Sequence, residues 1–429
     1  MVADVRTPSR RDFLRLSAAG AGLVALSACG SSPGSSGGAG GKANIRALFM
    51  KQASYSVENV ASMTRRFHAK NPHIAVSTDF VAYEALHDKI VTAAPAGTYD
   101  VVLIDVIWPA EFASKHLIKD ITDKLPASER SKIFTGALQS AEYQNKYYGI
   151  PWILDTEYLF YNKKMFSKAG IASAPRTWDD VVSAARALKA KNIVKYPFIW
   201  KAAQEEEIVC DYGAVLGAYG GTWMDGTTPT FDKGGAVKAL EFMRMTLAEG
   251  LADPASLTST GDDCRKAVSQ GTSAMCLNWT YMYALANDPK QSNVAGDIAI
   301  AHTPAGPAGG PGINGSMALS VTATSKNPDA ALAYIQYLTS QSVQDKYAQL
   351  SLPIWKSSYA DSAHLDATPA VVDVAKTQLG DMLLRPQVPQ YNAVSHALMA
   401  QLQNGLSGKK DPQSALTDAA SAAKNIMSS

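Results

Sequence analysis

The chain has 429 residues, 46% of them apolar, with 40 basic and 38 acidic side chains. Residues 1–28 hold four of the basic and two of the acidic groups, so the remainder balances at 36 of each. That neutrality excludes a nucleic-acid ligand and a membrane surface held by basic charge, and the length exceeds what one hydrophobic core serves, which predicts two lobes.

In chain order, Arg6, Arg10, Arg11 and Arg15 precede an apolar stretch from Leu16 to Ala28. The stretch is too short to span a bilayer and has the layout of a secretory signal. Arg10-Arg11 followed by Phe13-Leu14 resembles a twin-arginine signal, and Leu26-Ser27-Ala28-Cys29 resembles a bacterial lipobox, whose cysteine is acylated with palmitate-type chains. The plainer alternative is an ordinary signal cut elsewhere. The expectation is a lipoprotein lipidated at Cys29 and held on the outer face of the cell membrane, each acyl chain adding roughly 0.8 kcal/mol per buried methylene. Residues 29–43, rich in Gly and Ser, read as a flexible tether.

Order is expected from Asn44. Ile45–Met50 reads as a strand, and Val57, Val60, Met63 and Phe67 fall at helical spacing before Asn71-Pro72 ends the helix. Ile74–Val81 is the next strand, residues 83–94 the next helix, and Val101–Ile104 an uninterrupted apolar strand of the doubly buried kind. This alternation is the signature of a parallel α/β sheet. A mostly helical region then runs from Lys163 to about Ala286, with helices at 178–190, near 205–219 and at 235–249. A strand at 297–300, a strand at 317–322 and a helix at 329–339 are expected to rejoin the first lobe. Crossings near 151–156, 290–297 and 340–350 then give lobes of discontinuous segments: 44–152 plus 297–343, and 153–296 plus 344–429. Between such lobes lies a cleft, with the crossing strands as hinges.

Cys210, Cys264 and Cys276 have no zinc spacing and read as structural, with a Cys264–Cys276 bridge left open in an oxidising compartment. The seven histidines are scattered without ligand spacing, and neither Gly220-Gly221 nor Gly309-Gly310 opens a phosphate-binding helix, so no metal and no cofactor is expected.

Several blocks together resemble one family: residues 99–108 with Glu111-Phe112, residues 148–152 with 159–163, Ala267–Gly271 leading to Asn278-Trp279-Thr280-Tyr281, residues 314–319, Leu352-Pro353 and Leu384-Arg385-Pro386. Through them residues 44–429 resemble the maltose-binding-like solute-binding proteins of ABC sugar importers, nearest the actinobacterial trehalose/maltose-type binding lipoproteins. The resemblance implies a two-lobe α/β periplasmic-binding-protein-like fold of type II. It also implies a monomer, without enzymatic activity, that delivers a disaccharide or short oligosaccharide to permease subunits. A receptor for a glycerol-phosphate ester, a carbohydrate-cleaving enzyme using Asp105 and Asp155, and an adhesin or sensor are the alternatives.

A sugar offers a rim of hydroxyls and a weakly apolar C–H face, so its site needs carboxylates, amides and an aromatic plane. Asp105 stands at the carboxyl edge of a buried strand, where open α/β sheets present ligands, although it also suits capping of a helix near Pro109. Asp155 lies at the first crossing, where it suits a turn equally well. The resemblance gives both acids to sugar hydroxyls, stacks Trp279 on a sugar face and brings Arg385 into the cleft. Thr280 stands where many relatives have Pro, which leaves the placement of Tyr281 open. Trp108, Tyr83, Glu84, Trp152, Glu206, Glu207 and Trp355 are weaker candidates. The run Glu205-Glu206-Glu207 reads first as a solvated helix start favoured by the dipole. Gly315 and Ser316 open a cleft-facing strand, whose backbone N–H is a candidate donor to a hydroxyl.

Overall fold

The computed structural model describes residues 42–51, 54–360 and 362–428. The tether and the lipidation site expected at Cys29 lie outside the described residues. Strands β1 (Ala43–Met50), β2 (Ile74–Val81), β3 (Val101–Asp105), β4 (Ile150–Ile153) and a later strand, Met317–Val321, form a five-stranded sheet. β1 runs parallel to β2 with Ile45 opposite Val76, and parallel to β3 with Ala47 opposite Val101. The helices between them, α1 (Val57–Lys70) and α2 (Tyr83–Ala93), supply the crossovers. α1 begins at a reciprocal cap between Ser56 and Asn59 and buries Val60, Met63 and Phe67, the residues whose spacing predicts it. All five residues of β3 are buried, as an apolar run covered on both faces requires.

The second sheet has three strands in the order β6-β5-β7: β5 (Tyr158–Asn162) lies between β6 (Met275–Asn278) and β7 (Ile298–Ala301), antiparallel to both. Its side chains alternate. Tyr158, Phe160, Cys276, Ile298 and Ile300 join the apolar cluster that continues to the five-stranded sheet, whereas Leu159, Met275, Leu277 and Ala301 join a second cluster. That second cluster is built on helices 178–190, α3 (Glu206–Ala218) and 235–248, with α5 (Tyr391–Leu406) and the terminal helix 412–428.

Strand β7 corrects one expectation. Ile298 pairs with Asn162 and Ile300 with Phe160, so this segment stays with the second sheet and does not rejoin the first. Two isoleucines at period two announce a strand but carry no information on which sheet receives them. The return crossing falls instead between Ala301 and β8 (Met317–Val321), where Asn314 bridges to Thr156 on the outgoing crossing. β8 then pairs antiparallel with β3, Met317 opposite Asp105. Cys210, Cys264 and Cys276 are all buried free thiols, so the 264–276 bridge does not form.

Candidate functional site

β3 delivers Asp105 to the carboxyl edge of the first sheet, and Met317 of β8 lies beside it. The crossing after β4 delivers Asp155, and the segment after β6 delivers Trp279 and Tyr281. All of these line one cavity of about 320 Å³, together with Glu84 at the start of α2, Gly315, and Arg385 from the tail. Glu205, Glu206 and Glu207 project into it from the start of α3, and Asp262 from α4 (Gly261–Gln270).

Asp105 is buried and fully partnered. Tyr83 Oη donates to its Oδ2 at 2.8 Å, and the Ile107 N–H and Arg385 Nη2 donate to its Oδ1 at 3.3 and 3.2 Å. Burial raises its pKa, against the lowering effect of Arg385. Arg385 is only 2% exposed. Its Nη1 meets Glu206 Oε1 at 2.6 Å, and its Nη2 also donates to the Asn314 carbonyl at 3.2 Å. Glu206 takes two further donors, Tyr391 Oη at 2.6 Å and Ser395 Oγ at 2.5 Å. The guanidinium therefore ties a residue of the first sheet to the start of α3, and its charge is spent on two carboxylates.

Asp155 is held differently. The Thr156 N–H, the Thr280 N–H and Thr280 Oγ1 all donate to its Oδ1, at 2.9, 3.2 and 2.5 Å. A proline at 280 would supply neither of the Thr280 donors. Among the described residues no cation pairs with Asp155, and burial pushes its pKa up to about 7.

Trp279 is partly buried. Its Nε1 donates to Glu207 Oε1 at 3.3 Å, while Glu207 Oε2 accepts the Gly261 N–H at 2.5 Å and so caps α4. The ammonium of Lys201 stands 4.9 Å from the indole centroid. Lys201 is itself completely buried, bonded to Glu157 and 3.1 Å from Asp211 Oδ1. Desolvation works against its charge, but the two carboxylates outweigh it and hold its pKa well above the ordinary lysine value. Gly315 packs on the same indole, and a Cβ there would run into the ring.

Eight of the ten ligand candidates thus converge on the cavity: Glu84, Asp105, Asp155, Glu207, Trp279, Tyr281, Gly315 and Arg385. Trp108 and Trp152 do not line it. Trp108 stacks on Tyr83 at 5.8 Å and packs on Phe112, and Trp152 packs on Phe49 and Tyr55, so both indoles are spent on the first apolar cluster. Trp355, also outside it, donates Nε1 to the Thr339 carbonyl. The Gly315 N–H is occupied by the Asp155 carbonyl at 3.1 Å, so it is not a free donor, and the residue serves instead by giving Trp279 room. The Glu205–Glu207 run opens a helix, as its charge suggests, but it faces the cavity and is not a solvated start.

Sequence reasoning missed Ser54, Glu157 and Lys201. Ser54 is 7% exposed, lines the cavity, has a positive φ of 65° and has no partner for its Oγ among the described residues. Lys201 was legible in principle as a charge set between Ile199-Trp200 and Ala202-Ala203. Among the described residues no group of His, Cys, Asp and Glu side chains is arranged to hold a metal ion.

The fold and the cavity define a two-lobe binding protein of type II, and comparison with known proteins agrees. A family model described as bacterial extracellular solute-binding protein matches residues 42–345. The chain is 31% identical over 339 residues to a probable ABC transporter-binding protein of Deinococcus radiodurans, covering 75% of this chain and 79% of that one. Its fold superposes on maltose-bound MalE3 of T. maritima with a TM-score of 0.82 at 27% identity, over 90% of this chain and all of the other. It also superposes on a solute-binding protein of Thermotoga lettingae bound to α-D-tagatose, with a TM-score of 0.81 at 25% identity, over 90% and 99% of the two chains. The chain belongs to the bacterial extracellular solute-binding proteins, a family of receptors and not of enzymes that works outside the cytoplasm.

Proposed function

We propose that this protein captures a sugar, a disaccharide or short oligosaccharide of trehalose or maltose type, and hands it to the permease of an ABC importer while anchored by lipid at Cys29. The observation that carries the reading is the gathering of Asp155, Trp279 and the α3 carboxylates around one cavity between the sheets. Carboxylates accept from sugar hydroxyls, and an indole takes a C–H face. The maltose-bound and tagatose-bound relatives support the same class of cargo.

Two other readings fit the site less well. A phosphate ester would enter a cavity lined by seven carboxylates, where Arg385 is already committed to Asp105 and Glu206. Carbohydrate cleavage by an Asp105–Asp155 pair needs a carboxyl free to give or take a proton. Asp105 instead has both oxygens engaged by Tyr83, Ile107 and Arg385.

Thermal denaturation against a panel of mono-, di- and oligosaccharides tests the proposal. A cargo sugar raises the melting temperature in proportion to the logarithm of its concentration over Kd. A panel that leaves the transition unmoved at millimolar sugar contradicts it.

A further inference from the structure

The cavity carries more negative charge than a neutral sugar needs. Seven carboxylates line it, and among the described residues Arg385 is the one basic side chain that does. Most of the acids have their own partners. Asp105 and Glu206 share Arg385, Asp262 is paired with Arg265 at 2.6 Å and Lys266 at 2.7 Å, and Glu207 caps α4 and holds the Trp279 indole.

Asp155 and Glu205 are different. Asp155 is 5% exposed and has only amide and hydroxyl donors, all on Oδ1, so its second oxygen is left to the cavity. Glu205 precedes α3 without making a cap bond, and its Oε2 is buried with no partner. The carboxylates of Glu84, Glu207 and Asp263 act on it from α2, α3 and α4, and Glu157 acts on Asp155 from β5's approach. Burial pushes both acids up to about 7; the neighbouring carboxylates add to it at Glu205, whereas at Asp155 the Thr280 and Thr156 hydrogen bonds oppose it and Glu157 adds little. Ser54 adds a hydroxyl, nine-tenths buried and unpartnered among the described residues, at the same cavity. A desolvated carboxylate without a counter-ion is costly, and a ligand that brings the cation removes that cost.

We infer that the sugar bound here carries a protonated amine, an amino sugar or a short oligomer containing one, whose ammonium is received by the carboxylate of Asp155. This rests on the sugar-receptor reading and sharpens it. The carbohydrate body still needs Trp279 for its C–H face.

Calorimetric titration of the full chain with matched pairs tests the inference: trehalosamine against trehalose, glucosamine against glucose, and deacetylated chitobiose against cellobiose, with spermidine as an amine lacking a sugar. At pH 7 the amine member of a pair is expected to bind about tenfold tighter or more, the scale of one added charge-assisted bond. At about pH 6, where Asp155 holds its proton in the free protein, amine binding should release up to about one proton, read from the dependence of the heat on the buffer. Asp155→Asn should shrink the amine-to-hydroxyl affinity ratio, and Glu205→Gln should shrink it less.

Equal or tighter binding of the neutral members overturns the amine inference and leaves the sugar receptor standing. Binding of spermidine with no sugar bound overturns both readings. A panel in which nothing binds does the same.

Discussion

Arg385 is a side chain whose removal this structure accommodates poorly. Without its guanidinium, Asp105 and Glu206 lie buried and close together with no cation between them. Arg385→Met should lower the unfolding free energy by about 3–5 kcal/mol in denaturant titration, the usual cost of breaking a buried ion pair from one side. The loss should shrink at acid pH, because Asp105, whose pKa burial already raises, takes up a proton. A variant as stable as the parent would show that the pairing is incidental.

Asp155 gives a second residue-level test through its own titration. Its folded pKa is about 7 against an ordinary 3.8. Between those values the folded state binds more protons than the unfolded one, so stability falls as pH rises from about 4 to about 7, by about 1.4 kcal/mol per unit of pKa difference. Asp155→Asn should flatten that decline, and parallel pH–stability curves for parent and variant would contradict the assignment.

Among elements, the turn before β8 controls the aromatic platform. Gly315 lies against the six-membered ring of Trp279, with Lys201 standing over the same indole. Gly315→Ala should displace the indole. An overpacking cost of about 1–3 kcal/mol that falls on the bound state would weaken sugar binding about five- to 150-fold. Unchanged affinity would show that the indole is not a contact surface.

This is also the scale at which the sequence was most readable. α1, β2 and β3 follow from apolar spacing and caps, and their ranges agree with expectation to within a few residues. Spacing failed where the answer depended on long-range partners. Ile298 and Ile300 predict a strand, yet only the pairing with β5 decides its sheet. Trp108, Trp152 and Trp279 are equally large and aromatic in the sequence. What separates them is that two are buried in the first apolar cluster, while the third follows β6 into the cavity. Ser54 carried no motif at all, and its signal is a backbone conformation. Glu205 was visible as one of three acids, but its direction depends on how α3 meets α2 and α4.

For the whole molecule, Arg385 is also a tie between lobes, since Asp105 ends a strand of the first sheet and Glu206 opens a helix of the second apolar cluster. Cutting that tie should shift the unliganded protein toward a more open form. Small-angle scattering of Arg385→Met without sugar should show a larger radius of gyration than the parent, and saturating sugar should reduce the difference. Closure of this kind is bounded by how much better the closed form binds the cargo.

The most direct measurement is a crystal structure with the sugar that most stabilises the protein. The expected result is the sugar seated between the two sheets, one ring face on the Trp279 indole and a polar group within hydrogen-bond distance of Asp155. A sugar bound elsewhere, with that cavity unoccupied, would contradict the assignment of the site.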